Sequence, residues 1–108
     1  MSNLSALQFS YRKDLGGHEV TASIKDKPVG MINWAGGGKG QIEKIFVAPE
    51  HRRKGIATAL LGESRRIAKE KDILPPAHSE RRSEAGDAWA KSLKEPLPKR
   101  KSDRELFR

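Results

Sequence analysis

Val20, Ala22 and Ile24 alternate with Glu19, Thr21 and Ser23, the period-two pattern that predicts a half-buried strand over His18–Ile24. Upstream, Gln8-Phe9-Ser10-Tyr11 reads as a short strand, and Asp14-Leu15-Gly16-Gly17 as the turn that returns the chain. Lys25-Asp26-Lys27-Pro28 then turns it into a third strand, Val29–Ala35, and Gly36-Gly37-Gly38-Lys39-Gly40 forms a hairpin loop before a fourth, Gln41–Val47. The fourth strand ends at Ala48-Pro49, because proline cannot donate to a ladder. Beyond it the period lengthens. Ile56, Leu60 and Ile67 with Ala57, Leu61 and Ala68 form adjacent rows, while Glu63, Arg66 and Glu70 point to water, which predicts a helix over Ile56–Lys71. Pro75-Pro76 closes that region, and Ala77-His78-Ser79 is a candidate for a very short strand. Ser83 is placed to cap a second helix, Glu84–Leu93, with Ala85, Ala88, Trp89 and Ser92 on one face; Gly86 weakens it by about 1 kcal/mol relative to alanine. Strands in succession followed by helices predict an α+β fold.

Composition bounds that fold. A chain of 108 residues with 35% hydrophobic content supports one domain with a modest core. Residues 1–93 carry the predicted elements, and 94–108 read as a Pro- and Lys/Arg-rich exposed tail with six cations against three acids. No apolar run approaches the length of a membrane span, and the first ten residues lack the charged and apolar regions of a secretory signal. Cysteine is absent, which excludes disulfides and thiolate chemistry and agrees with a cytoplasmic protein. His18, His51 and His78 are not at ligand spacing, so no metal is expected. The net charge of +8 is uneven: residues 1–50 hold six Lys/Arg against five Asp/Glu, and residues 51–108 hold sixteen against nine. Such a surface fits a phosphate-rich ligand, or an acidic partner such as nucleic acid. The few aromatic residues are not interleaved with basic runs, and no nucleic-acid-binding motif is visible, so nucleic acid ranks below the small anion.

The candidate chemistry is concentrated in Ile42–Leu61, IEKIFVAPEHRRKGIATALL: a strand, a basic loop with one glycine, and an amphipathic helix. His51, Arg52, Arg53 and Lys54 precede the helix start, where backbone N–H groups and the helix dipole both favour an anion. Gly55 permits close approach of a ligand to the backbone, and Ala57 keeps the first turn slim. The alternative is an ordinary βα turn with a charged loop. The Gly36–Gly40 run lacks the Gly-Lys-Ser/Thr ending of a phosphate loop and remains a hairpin.

Arg52-x-x-Gly55-x-Ala57 preceded by Val47-Ala48-Pro49 resembles the pyrophosphate-binding motif of the GNAT superfamily of N-acetyltransferases, Gln/Arg-x-x-Gly-x-Gly/Ala after a strand ending Val-x-Pro. The resemblance runs from about Glu19 to Leu93. It implies a mixed, mostly antiparallel sheet with a cofactor-binding helix after the fourth strand and a short C-terminal helix. It also implies acetyl-CoA, or another acyl-CoA, as donor and an amine as acceptor. Backbone groups of Ile45, Phe46 and Val47 would pair with the pantetheine arm, and the Arg52, Arg53, Lys54, Gly55, Ile56 and Ala57 loop would hold the pyrophosphate. Members of the family usually insert two helices between their first two strands. The short Gly16-Gly17 turn leaves no room for them, so Val, Ile and Met side chains of the sheet are expected to face water, with a second copy, another protein, or the segment Met1–Ser10 as their cover.

By the same resemblance, Glu43, which strand alternation puts on one face with Ile45 and Val47, is the first candidate for the base that deprotonates the amine; its other reading is a surface carboxylate paired with Lys25, Lys27 or Lys44. His78 is the second, since an imidazole suits proton transfer near neutrality; it also reads as a loop residue without a role. Ser79 is a candidate contact for the acceptor, or a cap. The family's general-acid tyrosine is replaced at the matching place by Trp89, whose indole N–H is far too weak an acid, and the sole tyrosine, Tyr11, lies at the other end of the chain. Three readings therefore stand: an acyl-CoA-dependent N-acyltransferase, a coenzyme-A-fold module with a basic binding face, and a subunit that only makes protein contacts.

Overall fold

The computed structural model describes residues 6–14, 16–52, 54–78 and 84–93. The chain divides into two compact units, Met1–Ala77 and His78–Arg108. The first holds a four-stranded antiparallel sheet in sequence order: β1 (Gln8–Asp14), β2 (Gly17–Ile24), β3 (Lys27–Ala35) and β4 (Ile42–Val47). A 3-10 turn over Pro49–His51 and the helix α1 (Ile56–Lys71) follow; the second unit contains α2 (Glu84–Ser92). The expected fold class is what the chain adopts. No helix among the described residues is long and apolar enough to cross a membrane.

The two-strand connections match their turn chemistry. Asp14 lies opposite Gly17, so β1 and β2 form a direct hairpin with no helices between them. Lys25 and Asp26, at φ 50° and 65°, make the two-residue turn between β2 and β3, whose right-handed twist favours left-handed central residues. The strand therefore begins at Lys27, two residues before the sequence pattern suggests, with Pro28 at its start, where a missing donor is tolerated. Residues 8–10 belong to β1 and are not a cover for the sheet; residues 1–5 lie outside the described residues.

One face of the sheet carries His18, Val20 and Ala22 opposite Trp34, Ile32 and Gly30, all buried, and α1 packs on it through Ile56, Leu60, Leu61, Ile67 and Ala68. Ser64 sits in the same stripe, fully buried, and its hydroxyl is satisfied locally by donating to the Leu60 carbonyl at 2.7 Å. Trp34 donates its indole N–H to the Leu74 carbonyl at 2.8 Å, tying the end of β3 to the segment after α1. On the outer side of α1, Arg66 bonds both Glu63 and Glu70, as the helical spacing requires.

The opposite sheet face differs from expectation. Its cross-strand rows are Ser10, Thr21, Met31 and Phe46, and Arg12, Glu19, Asn33 and Lys44, with an Arg12–Glu19 ion pair at 3.2 Å. Val20 and Ile32 lie on the α1 side, so the apolar contribution of these rows comes from Met31 and Phe46. The hydrophobic drive toward self-association through them is correspondingly smaller than a Val- and Ile-lined face would give.

Gly30 sets the height of α1 above the sheet. A Cβ there would lie 2.9 Å from the Phe46 carbonyl oxygen and 3.2 and 3.3 Å from side-chain atoms of Leu60 and Ile56. Gly30→Ala is expected to lift the first turns of α1 and lower stability by about 1–3 kcal/mol, the usual cost of overpacking; a denaturant midpoint equal to that of the wild type would contradict this packing.

At the far end of the same face, Tyr11 Oη and His18 Nδ1 are hydrogen-bonded at 2.7 Å, the His18 ring stacks on Tyr11 and meets Trp34 at a tilt of 37°, and the Lys71 ammonium lies 5.1 Å from the Tyr11 ring centre. Burial, and then the Lys13 charge, hold the His18 imidazole below its ordinary value of 6.5. The unfolded chain therefore takes up a proton that the folded one resists. The contribution of His18 to stability is present above its ordinary value of 6.5 and is lost as the pH falls through that value toward the lowered folded one. The unfolding midpoint should decline over that acid window, and should do so less steeply in His18→Phe; identical pH profiles would show that His18 does not contribute.

Candidate functional site

β4 is the last strand of the sheet, and its outer edge is open among the described residues apart from one parallel bridge, Gln41 to Ala77. The Ala48 N–H donates to the Val29 carbonyl at 2.8 Å. Antiparallel alternation then turns the backbone groups of Phe46 toward β3, where it pairs with Met31, and those of Ile45 and Val47 toward the open edge. The Phe46 side chain is 44% exposed.

The pairing with β3 is interrupted once. Asn33 pairs with Lys44 and Trp34 with Ile42, so Glu43 is the extra residue of a β-bulge and is exposed. The simple alternation that puts Glu43 on one face with Ile45 and Val47 does not hold here. Bulges re-aim side chains and collect beside active sites. The sequence contains the signal: Ile42 and Ile45 both suit the core side, yet a spacing of three cannot put them on one face of a regular strand. Among the described residues no ion pair joins Glu43 to Lys25, Lys27 or Lys44.

Past Val47 the chain winds tightly. His51 N–H donates to the Ala48 carbonyl at 2.8 Å, Arg52 N–H to the Pro49 carbonyl at 3.3 Å, and Arg52 Nε to the Val47 carbonyl at 3.0 Å. His51 Nδ1 is buried with no hydrogen-bond partner among the described residues, as is Asn33 Oδ1. Lys54 is exposed; Arg53 lies outside the described residues.

Gly55 is the N-cap of α1, at φ 81° and ψ 11°, the left-handed conformation that costs an L-residue about 1–2 kcal/mol. Gly55 provides no side-chain cap, and the first turn has no acidic residue, whereas Lys69 and Lys71 complement the negative end of the dipole in the last turn. The first helical bond runs from Ala59 N–H to the Gly55 carbonyl at 2.9 Å, so the N–H groups of Ile56 and Ala57 precede any intrahelical acceptor. The first turn of α1 thus brings no acidic side chain of its own to the positive end of the helix, and Arg52 and Lys54, which precede it, are exposed.

The remaining candidates belong to the second unit. His78 meets Trp89 edge-on, with ring centres 5.7 Å apart and an interplanar angle of 61°. Ser79, Ser83 and the tail 94–108 lie outside the described residues. Tyr11 is committed to His18 on the core face.

A four-stranded antiparallel sheet whose last strand runs through a basic turn into a helix defines an α+β protein with a βα junction, and a helix start of this kind suits an anion. The sequence pattern of the acetyltransferase (GNAT) family matches residues 2–81, and the chain belongs to that family. No curated protein matches the sequence. Solved structures share the fold. A ribosomal-protein-alanine N-acetyltransferase from Brucella melitensis biovar Abortus 2308 superposes with a TM-score of 0.66 at 18% identity, over 91% of this chain and 94% of that one. An aminoglycoside acetyltransferase from an uncultured soil metagenomic sample, solved with trehalose, gives 0.68 at 10% identity over 93% and 94%. The enzyme AAC(6')-Iy, in complex with the bisubstrate analogue CoA-S-monomethyl-acetylneamine, gives 0.57 at 17% identity over 82% and 67%.

Proposed function

We propose that the protein is an acyl-CoA-dependent N-acyltransferase, with acetyl-CoA as the donor, that transfers the acyl group directly to an amine. The observation that carries this reading is the junction itself: β4 ends in Val47-Ala48-Pro49, and α1 begins at a left-handed Gly55 with neither a side-chain cap nor an acid in its first turn. Family membership and neighbours solved with CoA derivatives support it.

The residues present fit such a donor. The N–H groups of Ile56 and Ala57, with Lys54, suit the pyrophosphate, and the outward backbone groups of Ile45 and the Val47 N–H suit the amide-bearing pantetheine arm, as an added strand would. Bound acyl-CoA supplies an activated acyl carbonyl. The chain supplies position and a proton acceptor. In the reaction the amine nitrogen bonds to the acyl carbon, the carbon–sulfur bond breaks, and the electron pair leaves on sulfur as CoA thiolate. Glu43, re-aimed by its bulge, takes the ammonium proton directly or through a water. Water protonates the thiolate, since Tyr11 is engaged with His18 and the Trp89 indole is too weak an acid. His78 is the alternative base.

The acceptor is the open variable. Acetyl-CoA with a panel of amines, including an alanyl peptide and aminoglycosides, tests the reading by thiol release. Release above the rate of acetyl-CoA hydrolysis with at least one amine is expected; no release with any of them would overturn the enzymatic reading.

A further inference from the structure

We infer that Arg52 serves the cofactor site as a hydrogen-bonding strap on the strand end, not as a counter-charge for the phosphates. The inference rests on the acyl-CoA reading above and assigns one residue of that site its role.

Residue 52 makes two hydrogen bonds, one closing the 3-10 turn and one tying its side chain to the end of β4. Its backbone N–H reaches the Pro49 carbonyl at 3.3 Å, and its side-chain Nε reaches the Val47 carbonyl at 3.0 Å. That carbonyl belongs to the open edge of β4. The Arg52 side chain therefore ends the edge available for pairing: the Ile45 groups and the Val47 N–H stay open, and the Val47 carbonyl is taken. The same bond fixes where the chain leaves for Gly55 and the α1 N-terminus, which lie only three and four residues further on. One bond thus separates the edge suited to an amide-bearing arm from the turn suited to phosphates, and sets the spacing between them.

The donating atom makes the proposal testable. Nε is the fourth side-chain atom of arginine, counted from Cβ. Glutamine places its amide nitrogen at that same position and is neutral. Lysine keeps the charge but has a methylene there, with its ammonium one bond further out. A strap is therefore rescued by glutamine and not by lysine, and a counter-charge shows the reverse.

The experiment measures CoA affinity by calorimetry for wild type, Arg52→Ala, Arg52→Lys and Arg52→Gln, with amide hydrogen exchange of His51 and Arg52 in the ligand-free proteins. Alanine and lysine should each weaken CoA binding about tenfold, the scale of losing one charge-assisted hydrogen bond, and glutamine should restore it to within about threefold. Exchange should quicken in the alanine and lysine variants and return toward the wild-type rate with glutamine. Retention by lysine with loss by glutamine would overturn the strap in favour of charge, and equal affinity or equal exchange across the series would overturn it outright. A wild-type protein that binds no CoA would instead remove the acyl-CoA reading, and this inference with it.

Discussion

Gly55→Glu is expected to abolish measurable CoA binding, a loss of at least about 100-fold. Three effects act together. Any L-residue at φ 81° carries strain of about 1–2 kcal/mol in the left-handed region. A side chain at the N-cap is expected to crowd the Ile56 and Ala57 N–H groups, to which the proposed function assigns the phosphates. A carboxylate there would also satisfy the helix dipole and repel a ligand that carries several negative charges. A factor of 100 corresponds to about 2.7 kcal/mol, within the reach of these terms combined. Gly55→Ala separates them: it keeps the backbone strain and omits the intrusion and the charge, so it should bind CoA with an affinity between wild type and glutamate. Calorimetry on both folded variants checks the order. A glutamate variant with unchanged affinity would remove the phosphates from this turn.

Glu43→Gln is expected to lower turnover by about 100-fold or more, the usual consequence of losing a positioned base, with little change in CoA affinity. Glutamine is nearly isosteric and keeps the bulge, so the substitution removes proton acceptance and little else. The affinity should hold because the pairing edge at Ile45 and the turn at Gly55 are separate from the Glu43 side chain in sequence and in register. His78→Ala is the comparison. Full activity in Glu43→Gln with loss in His78→Ala would transfer the role to His78, and full activity in both would leave proximity as the source of the rate.

Much of this architecture is legible in the sequence because its elements are locally determined. The alternation in β2 fixes which face is buried, since a slip of one residue would turn Val20 and Ala22 to the wrong side of the sheet. Helix α1 has the bounds its periodicity predicts, Ile56–Lys71, because glycine at the start and a left-handed Asp72 at the end punctuate a strong apolar stripe. The basic turn is legible because an anion-binding helix start needs few residue types at close spacing.

Other features depend on tertiary partners. The bulge at Glu43 arises from the register between β3 and β4, so a reading of β4 alone gives a regular strand and the wrong neighbours for its carboxylate. Gly30 looks like any strand glycine until Leu60, Ile56 and the Phe46 carbonyl are seen around it. Ser64 appears polar in an apolar stripe, yet its hydroxyl is satisfied within its own helix. Arg52 counts as a cation in the sequence and proves to be a donor to a strand carbonyl. The expectation of a Val- and Ile-rich exposed sheet fails for a related reason: which residues share a face follows from the pairing, and the pairing sends Val20 and Ile32 to the α1 side.

The central claim, that acyl-CoA is received at the β4–α1 junction, is tested most directly by titrating isotope-labelled protein with CoA in the presence of a chelator and following the backbone amide resonances. The account predicts saturable shifts at Ile45, Val47 and Lys54 through Ala57, with smaller changes at the Tyr11–His18 end of the sheet. Absence of shifts at millimolar CoA, or shifts confined to residues away from this junction, would contradict it.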